Sequence, residues 1–290
     1  LSTQIPVSFA IKFRDDFLML SQQRGSRLRG AVRTDPDYLQ GKSGYFERIG
    51  ATAMVERLSR HQDTPRVDTP HSRRRVSLRD FEWADLIDPQ DVARMMANPQ
   101  NRYVMNAMWA AGRQIDDLII AAANGNAYSM DSDDAATAVA LPSAQKVAVA
   151  STGLTVDKML QAKQILDAAD VDEMEPRFAI VTSKQVKDLL NTTEVKSADY
   201  NSVKALSEGR IDTYLGFKFI RTERLTNAST TRYCLFYAQT GLGLATGAEI
   251  TTDIGPRRDK GNSTQVYLAM TFGATRIEDA KVVQVACQES

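Results

Sequence analysis

The sequence predicts an α+β chain, and three observations carry that prediction. Apolar residues recur at helical spacing over about five turns just past residue 100, strand-like stretches crowd the last 45 residues, and short helix and strand patterns alternate in between. A chain of 290 residues with 43% hydrophobic and 25% charged content can bury a core, which excludes disorder throughout. Its longest unbroken apolar run, Leu118 to Ala123, falls far short of the ~20 residues a membrane-spanning helix needs. The front lacks a basic-then-apolar signal pattern, so a soluble, non-secreted protein is expected.

Residues 1–43 mix short apolar clusters with Gly25, Gly30, Gly41 and several arginines. A helix is predicted near Ile11 to Gln23, and the rest reads as an arm. Tyr45 to Leu58 and Arg75 to Trp83 suit extended structure, with alternation in Val76-Ser-Leu-Arg-Asp-Phe81. Between them, Arg60 to Arg75 (RHQDTPRVDTPHSRRR) holds both histidines, two Asp-Thr-Pro copies and one apolar side chain, Val67. A polar tip joining two strands is a long hairpin, which is marginal alone in water. No conventional core is visible in the first 85 residues, so this part is expected to become ordered only by lying on another subunit.

Asp88 caps a short helix, with Pro89 at its first position and Asp91 in its first turn. The strongest helix follows. Asn98 caps it, Pro99 opens it, and Asn124-Gly125 gives a left-handed stop. Val104, Met108, Ala111, Ile115, Leu118 and Ala122 fall on one face. Residues 126–150 read as a loop entering a new domain, and Thr155 caps an amphipathic helix carrying Met159, Ile165 and Leu166. Phe178 to Val181 is a buried strand, Ser183 starts a helix through Leu190, and Asn201 to Leu206 is a further short helix. After Gly209 come a strand, a turn at Leu215-Gly216, and strands at Phe217 to Ile220, Tyr233 to Tyr237 and Leu242 to Ala245. Glu249 to Ile254, Gln265 to Thr275 and Ala280 to Ala286 complete the set. An early long helix with late strands implies that the last 45 residues return to pack on the helix, leaving 127–245 inserted.

Net charge is zero, yet residues 1–80 hold 15 Lys and Arg against 9 Asp and Glu, an excess of +6 that the remainder cancels. A balanced chain lacks the basic face that a dedicated nucleic-acid-binding domain uses. It suits a basic front meeting the acidic body of a neighbouring copy. Cys234 and Cys287 are too few for a disulfide framework and read as reduced, strand-buried thiols. His61, Asp63, Asp68 and His71 are metal-ligand types, but two prolines and little apolar support give them no fixed geometry. Asp131, Asp133 and Asp134 lack a calcium-loop pattern and read as solvated. Gly241-Leu-Gly-Leu-Ala-Thr-Gly247 has the look of a dinucleotide fingerprint but leads into a strand rather than a helix. No catalytic motif, cofactor or metal is expected, and neither is an enzyme.

The order of arm, long hairpin, spine-length helix, inserted α/β domain and returning strands resembles the tailed-bacteriophage major capsid proteins of the Hong Kong 97 fold. Asn98 to Gly125 looks like their spine helix, and the hairpin around Arg60 to Arg75 looks like their extended loop. Arg177 to Leu190 is similar to the axial-domain strand and helix; Gly209 to Phe219 resembles a "G-x-I … G-F" segment; Gly241 to Ala286 looks like the closing strands. The resemblance implies residues 1–43 as N-terminal arm, 44–84 as extended loop, 85–126 with 246–290 as peripheral domain, and 127–245 as axial domain. It implies self-assembly into hexamers and pentamers of an icosahedral virion shell around double-stranded DNA. The implied partners are a separate scaffolding protein, or one removed before Leu1, a portal and in some cases a cement protein, with assembly in the host cytoplasm. Arg60, Arg66, Arg73, Arg74, Arg75 and Arg79 are the candidate inter-subunit contacts. Some relatives cross-link a loop lysine, but no lysine lies between Lys42 and Lys146, so that chemistry is not expected in this loop. A cellular compartment shell of the same fold, and a basic-armed DNA-binding protein, are the two readings left beside it.

Overall fold

The computed structural model describes residues 20–35, 39, 41–60, 63–88, 100–130, 136–191 and 213–289. Its longest helix, α1 (Gln100–Asn124), forms over the predicted apolar stripe and stops where the Gly125 amide donates to Ala121 O at 2.8 Å. Ala107, Ala111 and Ile115 are buried at four-residue steps, whereas Met108, one position off that line, is exposed. Toward its end the helix is covered on more than one side, burying Leu118, Ile119, Ile120 and Ala123.

Three sheets surround this helix. The first has the order β1 (Arg33–Thr34), β13 (Leu242–Arg257), β14 (Ser263–Arg276), β4 (Arg79–Ile87), and β13 and β14 pack on α1. Leu242 to Ala245 and Glu249 to Ile254, separate strands by sequence, are one strand bent by register shifts at Thr246/Ala248 and Ala248/Thr251. The second sheet runs β7 (Lys146–Val147), β15 (Val282–Gln288), β12 (Thr231–Ala238), β8 (Arg177–Val181), β10 (Phe217–Arg221), β9 (Thr213–Tyr214), with β11 (Asn227–Ala228) beside β12. Helices α2 (Val156–Ala168) and α3 (Ser183–Asn191) accompany it. Thr155 caps α2 by accepting the Lys158 amide at 3.3 Å. Leu215 and Gly216 both take positive φ in the tight turn from β9 to β10. The third sheet, β2 (Ser43–Ile49), β3 (His71–Ser77), β5 (Ala127–Met130), β6 (Ala136–Val139), ties the hairpin to the chain beyond α1.

Four expectations are corrected. The strand expected over Tyr45 to Leu58 ends at Ile49. The strand expected over Arg75 to Trp83 is two, β3 on the hairpin and β4 on β14, broken at Leu78, whose amide turns to Lys42 O. The last 45 residues do not all return to the helix: β15 lies between β7 and β12 because buried Val282, Val283 and Val285 require an interior strand. The first third does own a core, since Leu28, Ala31 and Val32 join the main cluster and Phe46 and Val76 pack with Ala245 and Ile277. Residues 11–19 of the predicted N-terminal helix lie outside the described residues, and Gln22 and Gln23 are not helical. Pro89, Asp91, Asn98, Pro99, the Asp131 to Asp134 loop and the helix expected over Asn201 to Leu206 also lie outside them, and of the strand expected between Gly209 and Leu215 the described part is β9.

Cys234 and Cys287 are buried free thiols on adjacent strands. Beyond Cys287 the chain is held by Glu289, which pairs with Arg232 at 2.9 Å and accepts from Gln185. Hydrogen bonds from Arg232 hold the Glu289 carboxyl below its ordinary range. A depressed carboxylate contributes stability above its unfolded pKa and loses it as pH falls through the native value. Acidification below the ordinary glutamate range should therefore lower the protection factors of the β15 amides, each taken against the intrinsic exchange rate at the same pH. Glu289→Gln should lower those protection factors at neutral pH and make them less dependent on acid; an unchanged pH profile would refute this role.

Candidate assembly surface

The hairpin divides into a fixed root and a bare loop. At the root, alternation along β3 turns Arg74 and Val76 inward together. Arg74 is 3% exposed and gives Nη2 to the Asp279 carboxylate. The fully buried Arg276 donates Nε to the same carboxylate, Nη1 to Ala123 O at 3.1 Å and Gly125 O at 2.8 Å, and Nη2 to Val139 O at 2.9 Å. One carboxylate thus joins the hairpin to the end of α1. Burial pushes the Arg74 guanidinium below its ordinary pKa, and Asp279 opposes that shift. Arg48 adds a bond from Nη1 to Ile277 O at 3.0 Å.

The glycine-rich run is explained at this crossing. A Cβ on Gly243 would lie 2.8 Å from the Phe46 ring, and one on Gly273 would lie 2.5 Å from Ser77 O. These glycines let β2 and β3 pass close over β13 and β14.

Beyond the root the chain is bare. Gly50 N donates to Pro70 O at 2.8 Å, and every described residue from Ala51 to Pro70 is exposed. Met54 and Leu58 are 101% and 81% exposed, an apolar display on a segment with no body beneath it. Its charge is balanced: Arg57, Arg60 and Arg66 stand against Glu56, Asp63 and Asp68.

The six candidate arginines therefore separate. Arg60 and Arg66 are on the exposed loop, Arg66 paired with Asp68 at 3.2 Å. Arg73 faces outward at the root and pairs with Glu47 of β2 at 3.2 Å. Arg75 lies over the Tyr128 ring, and Arg79 is exposed at the start of β4. Arg74 differs from the other five, being 3% exposed and ion-paired inside the subunit. Arg73, Arg74 and Arg75 all lie on β3 at the root, each with a partner of its own chain. Asp63 and His71 are exposed, and among the described residues no three His, Cys, Asp or Glu side chains converge as a metal site.

A second anchoring point was not signalled in the sequence. Asp116, buried on α1, accepts from Gln23 Nε2, from Ser26 Oγ at 2.6 Å, and from the Arg27 and Leu28 amides at 3.1 Å each. Gly112, one turn earlier, admits the arm: a Cβ there would sit 2.4 Å from the Gly25 carbonyl carbon and the Ser26 nitrogen.

Against known proteins, the family described as "Phage capsid protein" matches residues 5–289. No curated protein matches the chain. Among solved structures, the capsid of cyanophage P-SCSP1u superposes with TM-score 0.75 at 15% identity, covering 100% of this chain and 96% of that one. The capsid of Ralstonia phage GP4 gives 0.71 at 11% identity, covering 98% and 96%. The capsid of cyanophage Pam1 gives 0.70 at 14% identity, covering 99% and 98%. At these identities the structures establish a shared fold.

Proposed function

This chain belongs to the phage capsid protein family and is a major capsid protein with the Hong Kong 97 fold, building the icosahedral head of a tailed phage, and from that premise we propose that its loop, residues 50–70, is the arm by which each copy holds the next. The single observation that carries this is the contrast between root and loop. Two buried arginines on one carboxylate fix the root, while the loop they aim outward touches no body of its own. A long exposed segment on a rigid mount is ordered at no benefit to the isolated subunit and gains its contacts on assembly.

With it we propose the division of the chain: 1–43 as N-terminal arm, 44–84 as extended loop, 85–126 with 246–290 as peripheral domain and 127–245 as axial domain, except that the pairing of β15 with β12 favours counting β15 with the axial domain. Family membership supports the rest of the proposal: hexamers and pentamers, a separate scaffolding protein, a portal, a cement protein, non-specific contact with packaged double-stranded DNA, and assembly in the host cytoplasm. It also favours the phage head over a cellular compartment shell. The role is structural rather than enzymatic.

Joining Gly50 to Pro70 through a two-residue Gly-Ser turn, with residues 51–69 removed, tests the loop. Circular dichroism and the urea midpoint of the subunit should be unchanged, and shells should be absent by negative-stain microscopy. Normal shells from this variant would overturn the proposal.

A further inference from the structure

The sequence reads Tyr45 to Leu58 as one strand, yet pairing in the folded chain stops at Ile49. Among the described residues, Ala51 to Arg57 make no backbone-to-backbone hydrogen bond, and all of them are exposed. Their sequence, Ala-Thr-Ala-Met-Val-Glu-Arg, still has the character of a strand, with β-branched Thr52 and Val55, apolar Met54, and neither proline nor glycine. The returning branch has Pro65 and Pro70, which lack the N–H that a ladder needs. Because the loop's charges cancel, net charge cannot be what seats it. Its open backbone and apolar side chains remain. A strand sequence whose partner is missing from its own chain marks a place where the partner is another molecule.

Resting on the loop's role proposed above, we infer that Ala51 to Arg57 adds as a strand to the open edge of β4 in a second copy. The first sheet ends at β4, and no described strand pairs with its other side. β4 is nine residues long and stays in unbroken register with β14 from Arg79 to Ile87. It contains neither proline nor bulge, and the charges it carries are Arg79, Asp80, Glu82 and Asp85. The opposite edge, β13 past Thr246, is blunted by two register shifts and Pro256. The edge strands of the other two sheets are shorter, β2 and β6 at seven and four residues and β7 and β9 at two each.

Hydrogen–deuterium exchange on the full chain, comparing unassembled subunits with shells from cells that supply the assembly partners, tests this. Amides of Thr52 to Arg57, and the outward amides of β4, should exchange about 100-fold more slowly in shells. Val55→Pro, which removes one ladder donor, should cut shell yield by about tenfold or more, while Val55→Thr keeps it. Both variants should unfold as the parent does, since Val55 touches no body of its own. Unprotected loop amides in shells, or equal yield from the two variants, would overturn strand addition. Protection in the loop without protection in β4 would overturn the assigned edge. If excision of residues 51–69 abolishes shells while the parent's loop amides stay unprotected, this inference fails and the loop's assembly role stands.

Discussion

Replacing Asp279 with alanine is expected to destabilise the subunit by about 3–5 kcal/mol, read as a lower urea midpoint at an unchanged slope. The carboxylate, 18% exposed itself, is the counter-charge for two buried guanidiniums. Arg276 would keep its three carbonyl acceptors, at Ala123, Gly125 and Val139. Arg74 would keep nothing, because its Nε and Nη1 are buried without partners already. The damage is therefore assigned to a stranded charge, and that assignment has its own check. Arg74→Met removes the charge with the side chain and should cost less than Asp279→Ala. Equal losses would show that packing, not charge, sets the effect. Since the site fixes the hairpin root, Asp279→Ala should also raise amide exchange in β2 and β3 more than in the second sheet.

Asp116→Ala is expected to release the arm and cost about 3 kcal/mol, because it strands the buried Leu28 amide and removes the shared acceptor of Gln23, Ser26 and Arg27. Trypsin should then cut after Arg24, Arg27 or Arg29, giving fragments that the parent does not give, while the exposed loop at Arg57, Arg60 and Arg66 is cut in both. Asp116→Asn, which keeps one accepting oxygen, should fall between the two. The clasp also explains how the arm reaches the inserted sheet. Gln23 Oε1 meets the Thr222 hydroxyl at 3.4 Å, Arg27 donates to Arg221 O, and Arg224 pairs with Asp117 of α1. Helix, arm and second sheet are thereby joined at one level of α1. Unaltered protease resistance in Asp116→Ala would show that other contacts hold the arm.

Elements governed by local rules were legible in advance. The stop of α1 at Gly125, the Thr155 cap, the turn at Leu215-Gly216 and the apolar strands β8, β10 and β12 all follow from neighbouring residues. The site was legible only in outline. Asp116 and Asp279 gain their meaning from donors far away in sequence, and a lone carboxylate carries no local sign of them. Arg74 could have been recognised: in His71 to Ser77 the one apolar residue is Val76, and two-residue alternation sets Arg74 on its side. Counting the arginines as a strip concealed that alternation. The strand expected past Ile49 does not form, because a ladder needs a partner and among the described residues none lies beside Ala51 to Arg57.

The place of β15 has a consequence for biosynthesis. Its seven residues, Val282–Gln288, lie between β7 and β12, both of which leave the ribosome earlier. Until residue 288 has emerged, those two strands have no neighbour to join them and the second sheet stays open. A nascent chain stalled before that point offers chaperones and proteases an unfinished sheet.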